Sequence, residues 1–288
     1  MGRAAPETGR GSRRRGTARG GALLVAGRHV LSSLVDVVWP QTCAACALWI
    51  PGDMGLLCPD CLAEIEAAAA LPACPRCGRT ASPLTMFDGR CGLCRHERHW
   101  NVAGIARIGE YHIAPLQRML QALKFGTPDR PAAVLGQWLA AALRRQPWIA
   151  EIDVLVPVPM HWLRRWQRPC DHAQVLAEAV SERIHIPVHR SAVRREKYTR
   201  SQTRARSATE RFRNVRGCFE PARRPAVAGR NVCIIDNLVV TGATLHEVAK
   251  VLRQAGARRI WAAVAARSGF AGDREVRIPT TNPAEETG

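Results

Sequence analysis

The stretch "NVCIIDNLVVTGATL", residues 231–245, decides the fold. Four apolar or small residues, Val232 to Ile235, run directly into Asp236, a polar Gly-containing turn follows, and a helix-like pattern opens near Ala243. A short apolar run of this length reads as a buried strand, "NVCIID", with Asp236 at its carboxyl end. In sheets built from such strands, ligands sit at that end. Thr241, Gly242, Ala243 and Thr244 then fall where loop turns into helix. A helix start offers unpaired backbone N–H groups and a partial positive charge, small residues let a phosphate approach, and Thr hydroxyls add donors. The reading is an acid that meets a sugar or a metal, followed by a phosphate grip. The alternative is an ordinary strand–turn–helix with a Thr cap. No Gly-Lys-Ser/Thr is present, which excludes a Walker loop.

Working outward, "VAGIARIGEY" (102–111) alternates like a strand, and "IAPLQRMLQALKF" (113–125) has helical apolar spacing with Gly126 after it. "AAVLGQWLAAALRRQ" (132–146) predicts a helix, and "DVLVPVP" (153–159) a buried strand closed by prolines. "HAQVLAEAVSERI" (172–184) and "ATLHEVAKVLRQAGA" (243–257) predict helices, and "RIWAAVAA" (259–266) a strand. Strands alternating with helices argue for an α/β domain with a parallel sheet flanked by helices.

Before residue 101 the pattern is different. Eight of the eleven cysteines form four Cys-x-x-Cys pairs: Cys43/Cys46, Cys58/Cys61, Cys74/Cys77 and Cys91/Cys94. Each pair places two sulfurs on one tight turn, and two turns complete the tetrahedral set that Zn²⁺ accepts. A disulfide framework is the rival, but four regular pairs without a signal peptide argue for zinc and a reducing, cytoplasmic setting. The simplest pairing is sequential, giving two structural zinc ions. Spacing alone leaves a crossed pairing open. Four thiolates leave no open position for substrate, and metal binding would supply folding energy that this loop-rich module lacks. His96 and His99 read as surface residues, although they are close enough in sequence to substitute as ligands. Cys233 lies in an apolar run and reads as core packing.

The formal net charge is +18 and the pI about 10.7, and Lys occurs only at Lys124, Lys197 and Lys250. An anionic partner and base-composition bias both account for the Arg excess. No apolar run reaches the length of a membrane span. The expected organisation is an Arg/Gly-rich disordered extension (1–21), an amphipathic helix (22–38) leading into a double zinc ribbon (22–100 together), an α/β domain (101–267) and a loose tail (268–288).

Residues 232–245 resemble the signature of type I phosphoribosyltransferases, in which a hydrophobic strand is followed by two acids and Thr-Thr-Gly-Ala-Thr. The wider chain resembles the ComF family, amidophosphoribosyltransferase-like proteins linked to competence and DNA uptake. The resemblance rests on the double Cys₄ N-terminus, "LKFG" (123–126), "VPVPMHWLRRWQR" (156–168), "REKYTRSQTRARSATERFRNVRGCF" (195–219) and the signature, and it covers roughly residues 30–267. It implies phosphoribosyl pyrophosphate with Mg²⁺ as ligand. Asp236 and Asn237 would contact ribose, Thr241, Gly242, Ala243 and Thr244 the 5′-phosphate, and the loop through Pro157, Val158 and Pro159 would face pyrophosphate. Asp236 would also stabilise the positive charge that builds on the ribose as pyrophosphate leaves. Three departures stand out: Asn237 replaces the second acid, Val240 the first Thr, and "RPCDH" (168–172) the family's Arg-Gly-Phe-Asn-Gln. Each lost buried bond would weaken the site by about 1–3 kcal/mol, which bears on turnover more than on fold.

Residues 190–216 hold ten basic residues and two acids. One reading is an anion-gripping flap in which Arg195, Lys197 and Arg200 close over pyrophosphate or a DNA backbone; the other is a solvated basic face. Arg164, Arg165 and Arg168 beside Trp162 and Trp166 form a second cluster, suited either to nucleic acid or to packing on the zinc module. Three functions follow as expectations: a Mg²⁺-dependent phosphoribosyltransferase, a single-stranded-DNA-handling protein that keeps the fold without turnover, and a scaffold whose zinc module docks a partner.

Overall fold

The computed structural model describes residues 41–51, 55–95, 101–166, 168, 170–198, 207–222 and 227–269. The expected helix at 22–38, the terminal extension, His96, His99, Arg200 and all but the first two residues of the expected tail lie outside these residues.

Chain order among the described residues is α1 (Pro59–Ala70), β1 (Met86–Phe87), β2 (Arg90–Cys91), α2 (Gly92–Arg95), β3 (Ile105–Glu110), α3 (Ala114–Phe125), α4 (Asp129–Arg144) and β4 (Val154–Pro157). It continues with α5 (Trp162–Arg165), α6 (His172–Ile184), β5 (Val193–Arg195), α7 (Ala208–Val215), β6 (Phe219–Pro221), β7 (Asn231–Val239), α8 (Ala243–Gln254) and β8 (Arg259–Arg267).

The central sheet is parallel, in the order β3-β8-β7-β4. A parallel bridge from Leu155 to Val188 extends it beyond β4. Sheets of this kind are covered on both faces, so their strands are apolar throughout rather than alternating. β8 shows this, with every residue after Arg259 buried. Cys233 and Ile235 of β7 face one core with Leu120 and Leu123 of α3, Leu139 of α4 and Leu176 of α6. Val232 and Ile234 face the other core with Leu245, Val248 and Leu252 of α8. The lone Cys233 is wholly buried, as its apolar run predicts.

One boundary differs from the sequence reading. β7 does not stop at Asp236 but pairs with β8 as far as Val239. Leu238 and Val239 are apolar and still find partners on β8, so the ladder continues past the acid. α4 also opens earlier than expected, at Asp129, because an acid in the first turn and Pro131 suit a helix start.

The topology locates a ligand crevice. From β4 the chain passes through α6 to the 188 segment on one side, and from β7 through α8 to β8 on the other. β4 and β7 are therefore neighbours whose connections leave in opposite directions, and the space beyond their carboxyl ends is the switch point where α/β proteins bind ligands.

The zinc module seats on β3, which would otherwise be an exposed sheet edge. The Ile105 N–H donates to the Pro75 carbonyl at 2.9 Å, and Arg107 reaches Thr80 Oγ1 at 2.7 Å. Gly104 makes this approach possible, since a Cβ there would lie 2.8 Å from the Pro75 carbonyl oxygen. The other ribbon is tied to α4, where Arg130 donates to Gln41 Oε1 at 2.8 Å and to the Thr42 carbonyl.

Candidate active site and zinc centres

The cysteines settle their own pairing. Cys43, Cys46, Cys58 and Cys61 bring their sulfurs within 4.8 Å of one another, and so do Cys74, Cys77, Cys91 and Cys94. Sulfur pairs lie 3.7 Å apart between Cys46 and Cys58, 3.5 Å between Cys74 and Cys94, and 3.6 Å between Cys77 and Cys91. A tetrahedron with Zn–S bonds of about 2.3 Å has sulfurs about 3.8 Å apart, so both sets fit zinc. The pairing is sequential, and each set is complete without a histidine.

At the switch point, Asp236 keeps part of its residue surface exposed, but its carboxyl lies deep. Burial pushes its pKa up from 3.8 to about 6, opposed by the Asn237 N–H, which donates to Oδ1 at 2.7 Å, and by the cations Lys124 and Arg195. Asp171 pushes it further up. Asp171 caps α6, accepting from the Gln174 N–H at 3.4 Å and the Met160 N–H at 3.3 Å, and pairs with Arg165 at 3.4 Å. Burial, then Arg168, hold Lys124 below the usual lysine range, with Asp236 opposing them. Burial, then Arg164, hold Arg195 down. His172 is pushed down to about 4 by burial and then by Lys124, Arg168 and Arg164. The charged groups that act on Asp236 and His172 thus include a second carboxylate, Asp171, and the cations Lys124, Arg164, Arg168 and Arg195. Such a field favours a multiply charged anion.

Thr241 is buried, Gly242 takes a left-handed φ of 80° as the N-cap of α8, and Ala243 opens the helix as its sequence predicts. Thr241 Oγ1 accepts from the Ala243 N–H at 3.4 Å, a long bond that a better acceptor would displace. Arg267, fully buried at the end of β8, ties down the preceding turn. Its Nη1 donates to the carbonyls of Val239 (3.2 Å), Val240 and Ser268 (3.2 Å).

The structure constrains two assignments implied by the resemblance. Asn237 follows Asp236 on β7 and is buried. It is 2% exposed, and neither side-chain polar atom has a hydrogen-bond partner among the described residues. The Pro157–Val158–Pro159 loop lies beside Asp236 but offers no backbone donor to an anion. Prolines lack the N–H, and the Val158 N–H already bonds the Ile235 carbonyl at 2.9 Å. Anion contacts near this loop fall to side chains instead. Arg195 is in the crevice, Lys197 lies on the exposed run after β5, and Arg200 is outside the described residues.

Trp162 and Trp166 do not pack on the zinc module. They are 60% and 87% exposed, and with Tyr198 (49%) and Phe125 (71%) they put four accessible aromatics on segments bordering the crevice. Arg168 stacks over Phe125 at 4.1 Å and Arg164 over Tyr198 at 5.6 Å. Trp148 and Trp261, stacked at 5.3 Å, do lie beside the zinc module, where Gly104 and Pro75 meet.

Sequence reasoning assigned no role to Lys124, Arg267 or His172. A signal existed for Lys124: in a chain with 42 Lys plus Arg, only three are Lys, so a Lys before Phe125-Gly126 departs from the compositional default. Arg267 carried no such signal.

Family models match residues 34–96 as a double zinc ribbon domain and residues 170–279 as a phosphoribosyl transferase domain. Competence protein F of Haemophilus influenzae is 31% identical over 209 residues, which is 71% of this chain and 87% of that protein. The chain belongs to the ComF family. This ComF protein is also 29% identical over 190 residues to DNA utilization protein YhgH of Escherichia coli, covering 65% of this chain and 80% of the relative. Competence protein ComFC of Bacillus subtilis is 32% identical over 103 residues, 36% of this chain and 39% of the relative. Among solved structures, a glutamine phosphoribosylpyrophosphate amidotransferase from B. subtilis matches 46% of this chain and 25% of its own at 25% identity, with a TM-score of 0.31. At that score the likeness says nothing about the site. No helix among the described residues is long and apolar enough to cross a membrane.

Proposed function

We propose that this ComF protein binds phosphoribosyl pyrophosphate with Mg²⁺ in the crevice between β4 and β7, and that it acts in DNA uptake as its relatives' names indicate for them. The observation that carries this is the meeting of a deep carboxylate, four cations and the N-terminus of α8 at one switch point. Asp236 suits ribose hydroxyls. Thr241 to Thr244 suit the 5′-phosphate, where small residues and helix amides come together. Lys124, Arg164, Arg168 and Arg195 suit the pyrophosphate. Mg²⁺ takes oxygen ligands and keeps several waters; with one deep carboxylate amid cations, most of its ligands would be the pyrophosphate's own oxygens. When bound it would neutralise the leaving pyrophosphate, while Asp236 faces the positive charge that grows on the ribose. The acceptor is the unassigned half of such a reaction.

Isothermal calorimetry with phosphoribosyl pyrophosphate, with and without Mg²⁺, tests this on the wild type and on Asp236→Ala. Mg²⁺-dependent heat in the wild type, lost or much weakened in the variant, is expected. No heat in any combination sinks the proposal.

A second reading is favoured by the aromatic rim. Exposed rings interleaved with arginines suit stacked bases and their phosphates, each stacked base contributing about 1–3 kcal/mol. Trp162→Ala/Trp166→Ala should weaken single-stranded DNA binding, and affinity should fall steeply with salt. A flat salt dependence rejects an electrostatic grip.

A further inference from the structure

Where β3 and β8 begin, at the end of the sheet opposite Asp236, lies a second hollow of about 550 Å³. Arg76 from the zinc module, Arg253 from the end of α8, and Arg258 and Arg259 from the start of β8 line it, over a floor that includes Trp148 and Trp261. Among the described residues these four arginines line the hollow with one carboxylate, Glu151, which Arg259 holds at 2.8 Å, and Arg76 donates to the Val102 carbonyl. Arg253 gives Nη2 to the Asn101 carbonyl at 2.8 Å, and the residues 253, 258 and 259 are all exposed. A guanidinium carries five N–H donors, so one such bond leaves donors for an incoming oxygen.

The shape narrows the ligand class. A volume of this size is that of a small-molecule site. The arginines come from three elements and converge on a hollow, whereas a strand-binding surface strings its cations along a continuing groove. Trp148 and Trp261 stack with their planes 12° apart, and Val102, Pro147 and Ile260 complete a flat apolar side. With Val102, Trp148, Ile260 and Trp261 buried beneath it, the accessible chemistry of the hollow is its guanidinium groups, which suit a small anion carrying several phosphates.

We infer that this hollow is a second ligand site, distinct from the Asp236 crevice, and that it takes a small anion carrying several phosphates, for which ATP is the probe. The proposal stands independently of phosphoribosyl pyrophosphate binding.

ATP binding to the zinc-loaded full chain is measured by calorimetry on the wild type, on Arg253→Ala/Arg258→Ala, and on Lys124→Ala/Arg195→Ala, which strips cations from the other crevice. Arg253 and Arg258 are exposed, so the fold should hold, as a melting curve verifies; Arg258→Glu is the second probe if the double variant fails to fold. Losing two charged donors should weaken ATP binding by at least about tenfold, while the Lys124/Arg195 variant stays near wild type and excess single-stranded oligonucleotide does not displace ATP. Absence of ATP binding overturns the proposal. So does an equal loss in both variants, unchanged affinity in Arg253→Ala/Arg258→Ala or Arg258→Glu, or displacement by the oligonucleotide.

Discussion

At the residue scale, two titrating groups in the crevice pull stability in opposite directions with pH. Asp236 is raised from 3.8 to about 6, so the folded chain pays for its anion at neutral pH and regains that energy as pH falls from 6 toward 3.8. His172 is lowered from 6.5 to about 4, so its neutral form suits the fold and stability is lost as pH falls from 6.5 toward 4. Each shift corresponds to about 3 kcal/mol, and the two nearly cancel between pH 6 and 4. Asp236→Asn should therefore raise the melting temperature at pH 7 yet make the protein lose stability faster on acidification. His172→Gln should blunt the acid loss. Urea melts of both variants from pH 7.5 to 4.5 check this, and parallel curves for wild type and Asp236→Asn contradict it. Asp236 was legible in the sequence because an acid cannot follow four buried apolar residues without a reason. His172 and Lys124 were not, since their significance comes from meeting across the fold: Lys124 ends α3 and His172 begins α6, 48 positions apart in sequence by their numbers.

At the element scale, the helices and strands were legible because apolar spacing reports burial directly, and α3, α6, α8 and β8 start within one residue of their expected positions. Misreadings fell where pairing rather than composition sets the boundary. β7 outruns Asp236 because β8 offers it a partner, and no local pattern announces that. The same pairing carries Arg267 to the end of β8, under the turn before Thr241. There its Nη1 reaches three main-chain carbonyls, of which that of Val239 also accepts the Ser268 N–H at 2.8 Å. Arg267→Met keeps the apolar stem but removes the donor to the Val240 and Ser268 carbonyls, at a cost of about 1–3 kcal/mol. The phosphate turn should loosen as well. Thermal melts should show the loss, and amide exchange should quicken at residues 239–243 before the rest of β7. A variant as stable as wild type, with unchanged exchange there, would remove Arg267 from the turn's support.

At the scale of the whole molecule, the zinc module and the sheet are one mechanical unit, which the sequence could not show. Cys-x-x-Cys spacing announces metal, but not the surface on which the ribbon rests. β3 sits at the edge of the parallel sheet, and an unprotected edge invites pairing with other chains. Pro75, between Cys74 and Cys77, supplies the acceptor for the Ile105 N–H, and Thr80 joins Arg107 and Glu110 on the same strand. The turn that places Pro75 and Thr80 is held in shape by the Cys74 metal cluster, whose binding energy is of the order of 10 kcal/mol or more. Cys74→Ser should therefore release zinc from one cluster and expose β3, with amide exchange rising at Ile105 to Glu110 and aggregation increasing on mild heating. Cys46→Ser should act elsewhere, loosening the start of α4 through Arg130 while leaving β3 protected. If the two variants alter exchange in the same places, or if β3 stays protected without the Cys74 cluster, the ribbon is not what guards the sheet edge.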